Sequence, residues 1–271
     1  MTLSVVIPAS NEAPLLPACL RALLASEDPG GVEAVVVSNG SRDGTAEVAR
    51  GHAAAFAARG WRLMVLELAE GGKIGALNAG DAATATFPRA YLDADVTVSR
   101  GLLAGLAAAL APDRPLYASG LCRITARGAF SRLYARAWRR VPFMATGVPG
   151  CGLFAVNAAG RARWGRWPAI VSDDTLARLH FAPLERVLVP EPYDWPVAEG
   201  FQALSRVRAR QDRGVREVAT LHPGLMANEA KPRPGAASLL RLAADPVASA
   251  AYLAVALAAR LRPGQGWGRA R

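Results

Sequence analysis

An α/β fold with a doubly wound, largely parallel sheet is predicted by three observations. Within residues 3–93, four short apolar segments alternate with helical patterns, which is the order expected of consecutive βαβ units. At 271 residues, the chain is long enough to bury the core of one large domain. Its composition, 52% hydrophobic and 20% charged, excludes an intrinsically disordered chain.

The predicted strands of the N-terminal half are continuous apolar runs, typical of strands buried on both faces of a sheet. They cover residues 3–9, 33–38, 62–68 and 89–93. The first helical pattern covers residues 16–24, and the second runs from the end of the loop at 39–45 to about residue 59. A third begins in the glycine-rich segment that starts at residue 71. Because ligands bind at the carboxyl ends of such strands, the loops after Ala9, Ser38, Leu68 and Leu92 form the candidate site.

The pattern after residue 100 predicts a less regular arrangement. Helices are predicted at 101–110, 128–140, 200–214 and 247–259, and strands at 116–124 and 152–156. Residues 171–181 are predicted to be a loop that enters a helix, and residues 231–235 a linker. The uncharged stretch 247–259 is shorter than the ~20 residues that cross a bilayer, so it is expected to dock on the domain or to lie in a membrane interface.

The net charge of +10 is unevenly distributed. Residues 1–98 carry 7 basic and 11 acidic side chains, whereas residues 99–271 carry 25 and 11. The basic half indicates an anionic partner, such as a phosphate group or an anionic lipid. No zinc-finger, helix-turn-helix or aromatic RNA-binding signature is present, so nucleic acid is not expected as a partner. Arg132, Arg136 and Arg140 share one face of a predicted helix. They either form a surface for such an anionic partner or are simply a solvated face of an arginine-rich protein.

Two pairs of acidic residues are candidates for chemistry. Asp93 and Asp95 stand one residue apart at the carboxyl end of a predicted strand. They can share a divalent cation with a diphosphate, because Mg²⁺ and Mn²⁺ prefer oxygen ligands; the alternative is a solvated turn. Asp173 and Asp174 enter a predicted helix, where one can act as a general base or both can serve only to cap the helix.

Lys73 is one of two lysines in a chain whose other basic residues are arginines. It follows Gly71 and Gly72, and glycines allow backbone N–H groups to approach a phosphate while lysine supplies a compact charge. The segment lacks the Gly-Lys-Ser/Thr triplet of a P-loop. The alternative is a lysine that lies on the surface by chance.

Four segments resemble glycosyltransferase family 2 in their order and spacing. They are Val-Ile-Pro-Ala-Ser-Asn-Glu at 6–12, Val-Ser-Asn-Gly-Ser-Arg-Asp-Gly-Thr at 37–45, Gly-Lys-Ile-Gly-Ala-Leu-Asn-Ala-Gly at 72–80 and Leu-Asp-Ala-Asp-Val at 92–96. The similarity extends to about residue 215 and is thinner after residue 98. It implies a GT-A (Rossmann-like) fold: a mixed, mostly parallel sheet flanked by helices, with a C-terminal helical extension.

The resemblance also implies roles for parts of the chain. Residues 1–98 would bind the nucleotide sugar, residues 99–225 would form the acceptor-binding and catalytic half of the same domain, and residues 226–271 a linker and an apolar, basic helix. Donor contacts are implied for Pro8, Ala9, Glu12, Asn39, Lys73 and Asp93. Asp95 would bind a divalent cation (Mn²⁺ or Mg²⁺), and Asp174 would be the catalytic base beside Asp173. Contacts to acceptor or diphosphate are expected of Gly150, Gly152, Arg210 and Arg213.

Two departures from the family pattern bear on specificity. Ser38 and Asn39 stand where the family often has two aspartates, so the identity of the nucleobase stays open; an asparagine can accept through its carbonyl oxygen and also donate. The Gln-x-x-Arg-Trp element of processive synthases is absent, since residues 210–214 contain no tryptophan. This absence argues against a processive polymerase.

The function expected from these features is a metal-dependent, inverting, non-processive glycosyltransferase. Its acceptor would be a glycan or a lipid-linked precursor of cell-envelope polysaccharide, reached from the cytoplasmic face of a membrane that the protein contacts peripherally. The first residues predict a strand rather than a signal peptide. One alternative is a nucleotidyltransferase-like sugar activator, although residues 8–11 lack its glycine-rich loop. Another is a catalytically idle, membrane-associated nucleotide-sugar-binding module, suggested by Ser38 and Asn39.

Overall fold

The computed structural model describes residues 2–230 and 243–262. Within them, eight strands form a single sheet: β1 (Leu3–Ala9), β2 (Val32–Asn39), β3 (Arg62–Leu68), β4 (Arg89–Leu92), β5 (Thr97–Val98), β6 (Tyr117–Thr125), β7 (Leu153–Val156) and β8 (Arg186–Pro196). The predicted linker at 231–235 lies outside the described residues.

The helices flank this sheet. They are α1 (Leu16–Leu24), α2 (Thr45–Arg50), α3 (Ala53–Ala58), α4 (Lys73–Ala83), α5 (Leu102–Ala109), α6 (Ala129–Trp138), α7 (Pro142–Thr146), α8 (Ala158–Arg161), α9 (Asp173–Leu179), α10 (Phe201–Leu221) and α11 (Pro246–Leu261). The alanine-rich helix expected before residue 59 is divided in two around Gly51 and His52. No helix within the described ranges is long and apolar enough to cross a membrane.

The strand order is β3-β2-β1-β4-β7-β6-β8-β5. The β1/β2, β2/β3 and β1/β4 pairs are parallel, as predicted for the N-terminal half. The β4/β7, β6/β7 and β5/β8 pairs are antiparallel, whereas β6 and β8 run parallel. The prediction of a mixed, mostly parallel sheet flanked by helices is therefore confirmed. The predicted helix in the C-terminal part of the chain is also confirmed.

Strand β8 was not predicted, because Pro190 and Pro192 interrupt its sequence and proline cannot donate a ladder hydrogen bond. The structure resolves the conflict with an irregularity in the pairing. Gly120 of β6 pairs with Val189, but the next residue, Leu121, pairs with Pro192. The prolines therefore fall at a bulge, where the ladder is interrupted in any case.

The core lies on both faces of the sheet. Along β1, Val5 and Ile7 belong to one apolar cluster and Val6 to another, as expected when successive side chains point to opposite faces. The second cluster includes Trp164 and Trp167, which are buried and pack against each other at 5.2 Å between ring centroids. These two rings thus belong to the core that supports the site.

Helix α10 continues to Leu221, seven residues beyond the predicted end at Gly214. A glycine commonly follows the end of a helix, but Gly214 lies inside this one. A Cβ atom on Gly214 would lie 2.2 Å from Oγ of Ser172. The glycine therefore allows α10 to approach the residue that precedes α9.

Candidate functional site

A small cavity opens where β1 and β4 end and where α4 and α9 begin. This is the carboxyl edge of the parallel part of the sheet, where a ligand site was expected. Its lining combines three carboxylates and one ammonium group with apolar side chains and two glycines. The lining residues are Pro8, Lys73, Leu77, Tyr91, Leu92, Asp93, Gly150, Gly152, Phe154, Asp173 and Asp174.

Lys73 occupies the centre of this charged group. Its Nζ atom lies 2.9 Å from Oδ1 of Asp93 and 3.1 Å from Oδ2 of Asp173. Burial alone would lower the pKa of the Lys73 ammonium, but Asp173 and Asp93 outweigh burial and hold this pKa above its ordinary value. Lys73 is therefore a fixed positive charge that joins the end of β4 to the start of α9.

Asp173 and Asp174 are the first two residues of α9. Burial raises the pKa of Asp173, although Lys73 opposes this change. Burial and the neighbouring Asp173 charge raise the pKa of Asp174 to about 6. One oxygen of Asp174 accepts a hydrogen bond from the Thr175 N–H at 2.7 Å. A carboxylate of this kind can accept a proton near neutral pH, as a general base must.

Gly150 and Gly152 form the wall of the cavity beside Asp93. Both adopt left-handed backbone angles, with φ of 70° and 73°. A Cβ atom would lie 1.8 Å from the Tyr117 hydroxyl oxygen at Gly150, and 2.7 Å from the Trp195 ring at Gly152. The backbone at these two glycines therefore lies close to the protein's own aromatic rings. A contact of these glycines with an acceptor remains a prediction.

Asn39 links three segments of the site. Its side-chain amide donates to the carbonyl oxygens of Ala9 at 2.9 Å and Val37 at 3.2 Å. Its Oδ1 atom accepts from the Gly72 N–H at 2.9 Å. An aspartate has no N–H to donate to the two carbonyls, which explains physically why asparagine suits this position. Both side-chain N–H donors of Asn39 are thus engaged, and a nucleobase would meet this side chain at the second lone pair of Oδ1.

A second, wider cavity of about 450 Å³ adjoins the first across the start of α4. Gly72 and Ile74 line the wider cavity. Lys73, which stands between them in the sequence, lines the small cavity instead. Arg213 of α10 lies on the wall of the wider cavity, as does Glu217, which accepts a hydrogen bond from the Val171 N–H at 2.9 Å. The two cavities together offer a basic side chain on either side of one glycine-rich turn.

Five predicted residues do not line either cavity. One of them is Asn39, which joins the segments around the site without lining it. Ala9 is buried and contributes its carbonyl to Asn39, and the Glu12 N–H donates to Oγ1 of Thr45 at 2.9 Å. Asp95 is half-buried in the turn after β4, and Arg210 is exposed on α10. Their proposed roles in binding the donor, the metal and the diphosphate stay predictions.

The donor atoms near β4 fit a cation only if a ligand completes its shell. Across residues 2–230 and 243–262, no group of three or more His, Cys, Asp or Glu side chains is placed to hold a metal ion. Mg²⁺ is commonly bound by one or two carboxylates together with substrate phosphates. Asp93 and Asp95 carry carboxylate oxygens of this kind, and their binding of a cation stays a prediction. The arrangement therefore fits a cation shared with a bound diphosphate rather than one caged by protein side chains.

Asp81 is a supporting residue that the sequence reasoning missed. It accepts from Arg89 and Tyr91 on one oxygen, each at 2.7 Å, and from Arg161 and the Trp167 ring on the other, at 2.7 and 2.8 Å. These bonds fasten α4 to the segment that leads into α9. The sequence did contain a signal for this role. Asp81 lies four residues after Leu77 in the helical pattern, so its carboxylate is on the face of α4 that packs on the sheet and needs partners there.

The chain is similar to known proteins in sequence and in fold. The family model for glycosyl transferase family 2 matches residues 4–166. A search of curated proteins finds no match. A mannosyltransferase from Pyrobaculum calidifontis, PcManGT, solved with GDP-Man and Mn²⁺, is similar in structure with a TM-score of 0.62 and 22% identity; the similarity covers 97% of this chain and 76% of that one.

Structures of TarS from S. aureus are also similar. A fragment comprising its residues 1–349 gives a TM-score of 0.55 at 14% identity and covers 93% of this chain and 71% of that one. The same fragment with UDP-GlcNAc gives 0.54 at 16% identity, with 78% and 66% covered, so the chain spans slightly less than two thirds of it. With more than half of its length matched by the family model, this chain belongs to glycosyl transferase family 2.

Proposed function

We propose that this protein is a non-processive glycosyltransferase that moves a sugar from a nucleoside-diphosphate donor to a hydroxyl group of an acceptor, with inversion. The observation that carries the proposal is the cavity in which Lys73 lies between Asp93 and Asp173, with Asp174 beside them. A positive charge suited to a diphosphate and a carboxylate suited to proton removal therefore share one small volume.

The donor diphosphate is proposed to bind at the start of α4. Lys73 is on one side of this turn and Arg213 on the other, so a doubly charged group there would meet a basic side chain from each cavity. Pro8, at the end of β1, forms part of the same lining. Two neighbours in fold were solved with nucleotide sugars, GDP-Man and UDP-GlcNAc, which supports this class of donor.

A divalent cation is proposed to be held by Asp93 and Asp95 together with the diphosphate. When bound, it would supply positive charge that stabilises the leaving nucleoside diphosphate. Mn²⁺ in the mannosyltransferase neighbour supports this assignment. Lys73 pairs with Asp93 and would keep this carboxylate oriented toward the diphosphate.

Asp174 is proposed to remove the proton from the acceptor hydroxyl as that hydroxyl attacks the anomeric carbon. Its pKa of about 6 leaves it ionised at neutral pH, yet basic enough to take up the proton in the transition state. The donor carbon is attacked once and the nucleoside diphosphate departs, so the anomeric configuration is inverted. Asp173, ion-paired with Lys73, would position α9 rather than accept the proton.

The acceptor is proposed to be a glycan or a lipid-linked precursor of cell-envelope polysaccharide, approached through the wider cavity. Gly150 and Gly152 form a wall of the neighbouring small cavity, and Arg213 provides a contact for a phosphate-bearing acceptor. Arg210, exposed one turn away, extends the same basic surface. We place the protein in the cytoplasm, at the inner face of the cell membrane.

A screen of UDP-, GDP- and dTDP-sugars with Mn²⁺ tests the proposal. One donor class is expected to raise the melting temperature, because a ligand that binds only the folded state stabilises it, and to be turned over with release of the nucleoside diphosphate. Asp95→Ala should lose the Mn²⁺-dependent part of this shift, whereas Asp113→Ala, at an exposed acid elsewhere, should keep it. No turnover with any donor, together with unchanged nucleotide binding by Asp95→Ala, would instead indicate a catalytically idle binding module.

A further inference from the structure

Helix α11 is predominantly apolar and carries no charged side chain between its two ends. Residues 246–259 contain no charged side chain, and the charged residues Asp245 and Arg260 stand at its two ends. A helix with this pattern is expected to be covered on all sides, by protein or by a membrane. The described parts of the chain cover one side only.

The inner side of α11 packs on the domain. Its buried residues follow a helical spacing, and Val255 shares an apolar cluster with Tyr134 of α6 and Leu204 of α10. Tyr134 and Tyr252 stack with their ring centroids 5.5 Å apart. Residues 247–259 were expected either to dock on the domain or to lie in a membrane interface. The structure shows that the inner face of α11 docks on the domain.

The outer side of α11 exposes large apolar side chains. Val247, Leu253, Leu257 and Leu261 are 61%, 62%, 59% and 75% exposed. Eight large hydrophobic residues are exposed in the described parts of the chain, and half of them lie on this one helix. A concentration of this kind marks an interaction surface, because single exposed leucines are normally scattered.

A basic row runs beside this apolar face. Arg136 of α6 and Arg140, two residues beyond its end, pair with Asp245 at the start of α11, at 2.6 and 2.9 Å. Because Tyr134 meets Tyr252 further along, the two helices run antiparallel, and Arg132 continues the row by one more turn. Arg132, Arg136 and Arg260 are exposed. Arginines that flank an apolar helix face are complementary to anionic headgroups above an acyl-chain region.

We propose that the outer face of α11 docks this protein on an anionic lipid bilayer, with the helix lying in the plane of the interface. Its 16 residues extend about 24 Å at 1.5 Å per residue, less than the ~30 Å hydrocarbon core of a bilayer. The leucines enter the boundary between headgroups and acyl chains, and the arginines contact lipid phosphates.

Helix α10 links the docking face to the candidate site. Two turns into α10, Arg208 donates to the Tyr252 hydroxyl of α11 at 3.0 Å. Further along, Gly214 lies against Ser172 at the start of α9. Leu204 and Gly214 are separated by about 15 Å along the helix axis. Resting on the proposed function, this connection suits an acceptor whose lipid anchor stays in the bilayer, because α10 joins the docking helix to the start of α9.

Vesicle co-sedimentation of the full chain tests the docking surface. Wild type is expected to partition onto vesicles of phosphatidylcholine with 30% phosphatidylglycerol about tenfold more strongly than onto pure phosphatidylcholine, and less so as salt is raised. Leu253→Glu/Leu257→Glu should lower this partition coefficient at least tenfold. The matched control, Leu184→Glu/Leu221→Glu, changes the same number of exposed leucines outside α11 and should stay within twofold of wild type.

Two further measurements on the same variants distinguish a loss of docking from a loss of folding or of nucleotide binding. Circular dichroism should show unchanged melting for both double variants, and nucleotide binding in solution should also be unchanged, whatever the fate of the transferase proposal. The docking proposal is overturned if wild type ignores anionic vesicles or if both double variants bind equally. It is also overturned if wild type is a dimer in light scattering and Leu253→Glu/Leu257→Glu a monomer without any vesicle binding, since a second copy would then cover the face.

Discussion

Lys73 and Asp173 form an ion pair, with Nζ 3.1 Å from Oδ2, across a separation of 100 residues in the chain. The same ammonium lies 2.9 Å from Asp93. One side chain therefore connects three parts of the sequence: the glycine-rich turn, the acidic end of β4 and the first turn of α9. Four predictions follow from this arrangement and from the packing that supports it.

Replacing Lys73 with methionine should weaken binding of a nucleoside diphosphate by about 10- to 100-fold, since hydrogen bonds to charged groups contribute about 1.5–3 kcal/mol. Isothermal titration calorimetry with the donor class found in the screen measures the change. Arg100→Met, at an exposed cation away from the cavity, is the control and should bind as wild type does. Equal affinity in Lys73→Met and wild type would remove Lys73 from the donor site.

Asp174→Asn should lower kcat by about 10²- to 10⁴-fold while the donor dissociation constant changes little, because an amide cannot accept the acceptor's proton. Asp173→Asn breaks an ion pair with Lys73 and should instead weaken donor binding. Single-turnover kinetics together with donor titrations distinguish the two effects. Retained turnover in Asp174→Asn would transfer the role of base to Asp173 or to another group.

The rate should depend on pH through Asp174. A base must be ionised, so kcat/KM is expected to be constant above pH 7 and to fall tenfold per unit as the pH drops below the pKa of about 6. Lys73 lowers the pKa of Asp174, so its removal raises that pKa, and the acidic limb in Lys73→Met should move to higher pH. A limb that stays in place in this variant would show that another group controls the profile.

Gly214→Ala should destabilise the fold by about 1–3 kcal/mol, because the new Cβ would lie 2.2 Å from Oγ of Ser172. Gly75→Ala is the matched control: Gly75 also lies inside a helix, no atom lies within 4 Å of its added Cβ, and alanine favours a helix. Urea denaturation measures both. Ser172→Ala should restore part of the stability of Gly214→Ala, and no rescue would place the strain elsewhere.

The sequence alone predicted the four parallel strands of the N-terminal half. Strands β1 to β4 were predicted because each is a local apolar run, and the order of the four motifs pointed to the family that the profile match confirms. Local signals did not predict β8, because its sequence contains two prolines. The structure accommodates both prolines at a bulge in the pairing of β8 with β6. Local signals also failed at Gly214, where a helix-ending residue serves a close contact.

Residue types and spacing determined which side chains could carry the chemistry: a rare lysine, two acidic pairs and a basic C-terminal half. Only the tertiary structure decided how they meet. It brought Lys73 to Asp173, used the amide of Asn39 to join Ala9 to Gly72, and left Asp95 outside the cavity lining. These relationships depend on contacts between distant segments, which the sheet topology creates and which no local sequence pattern encodes.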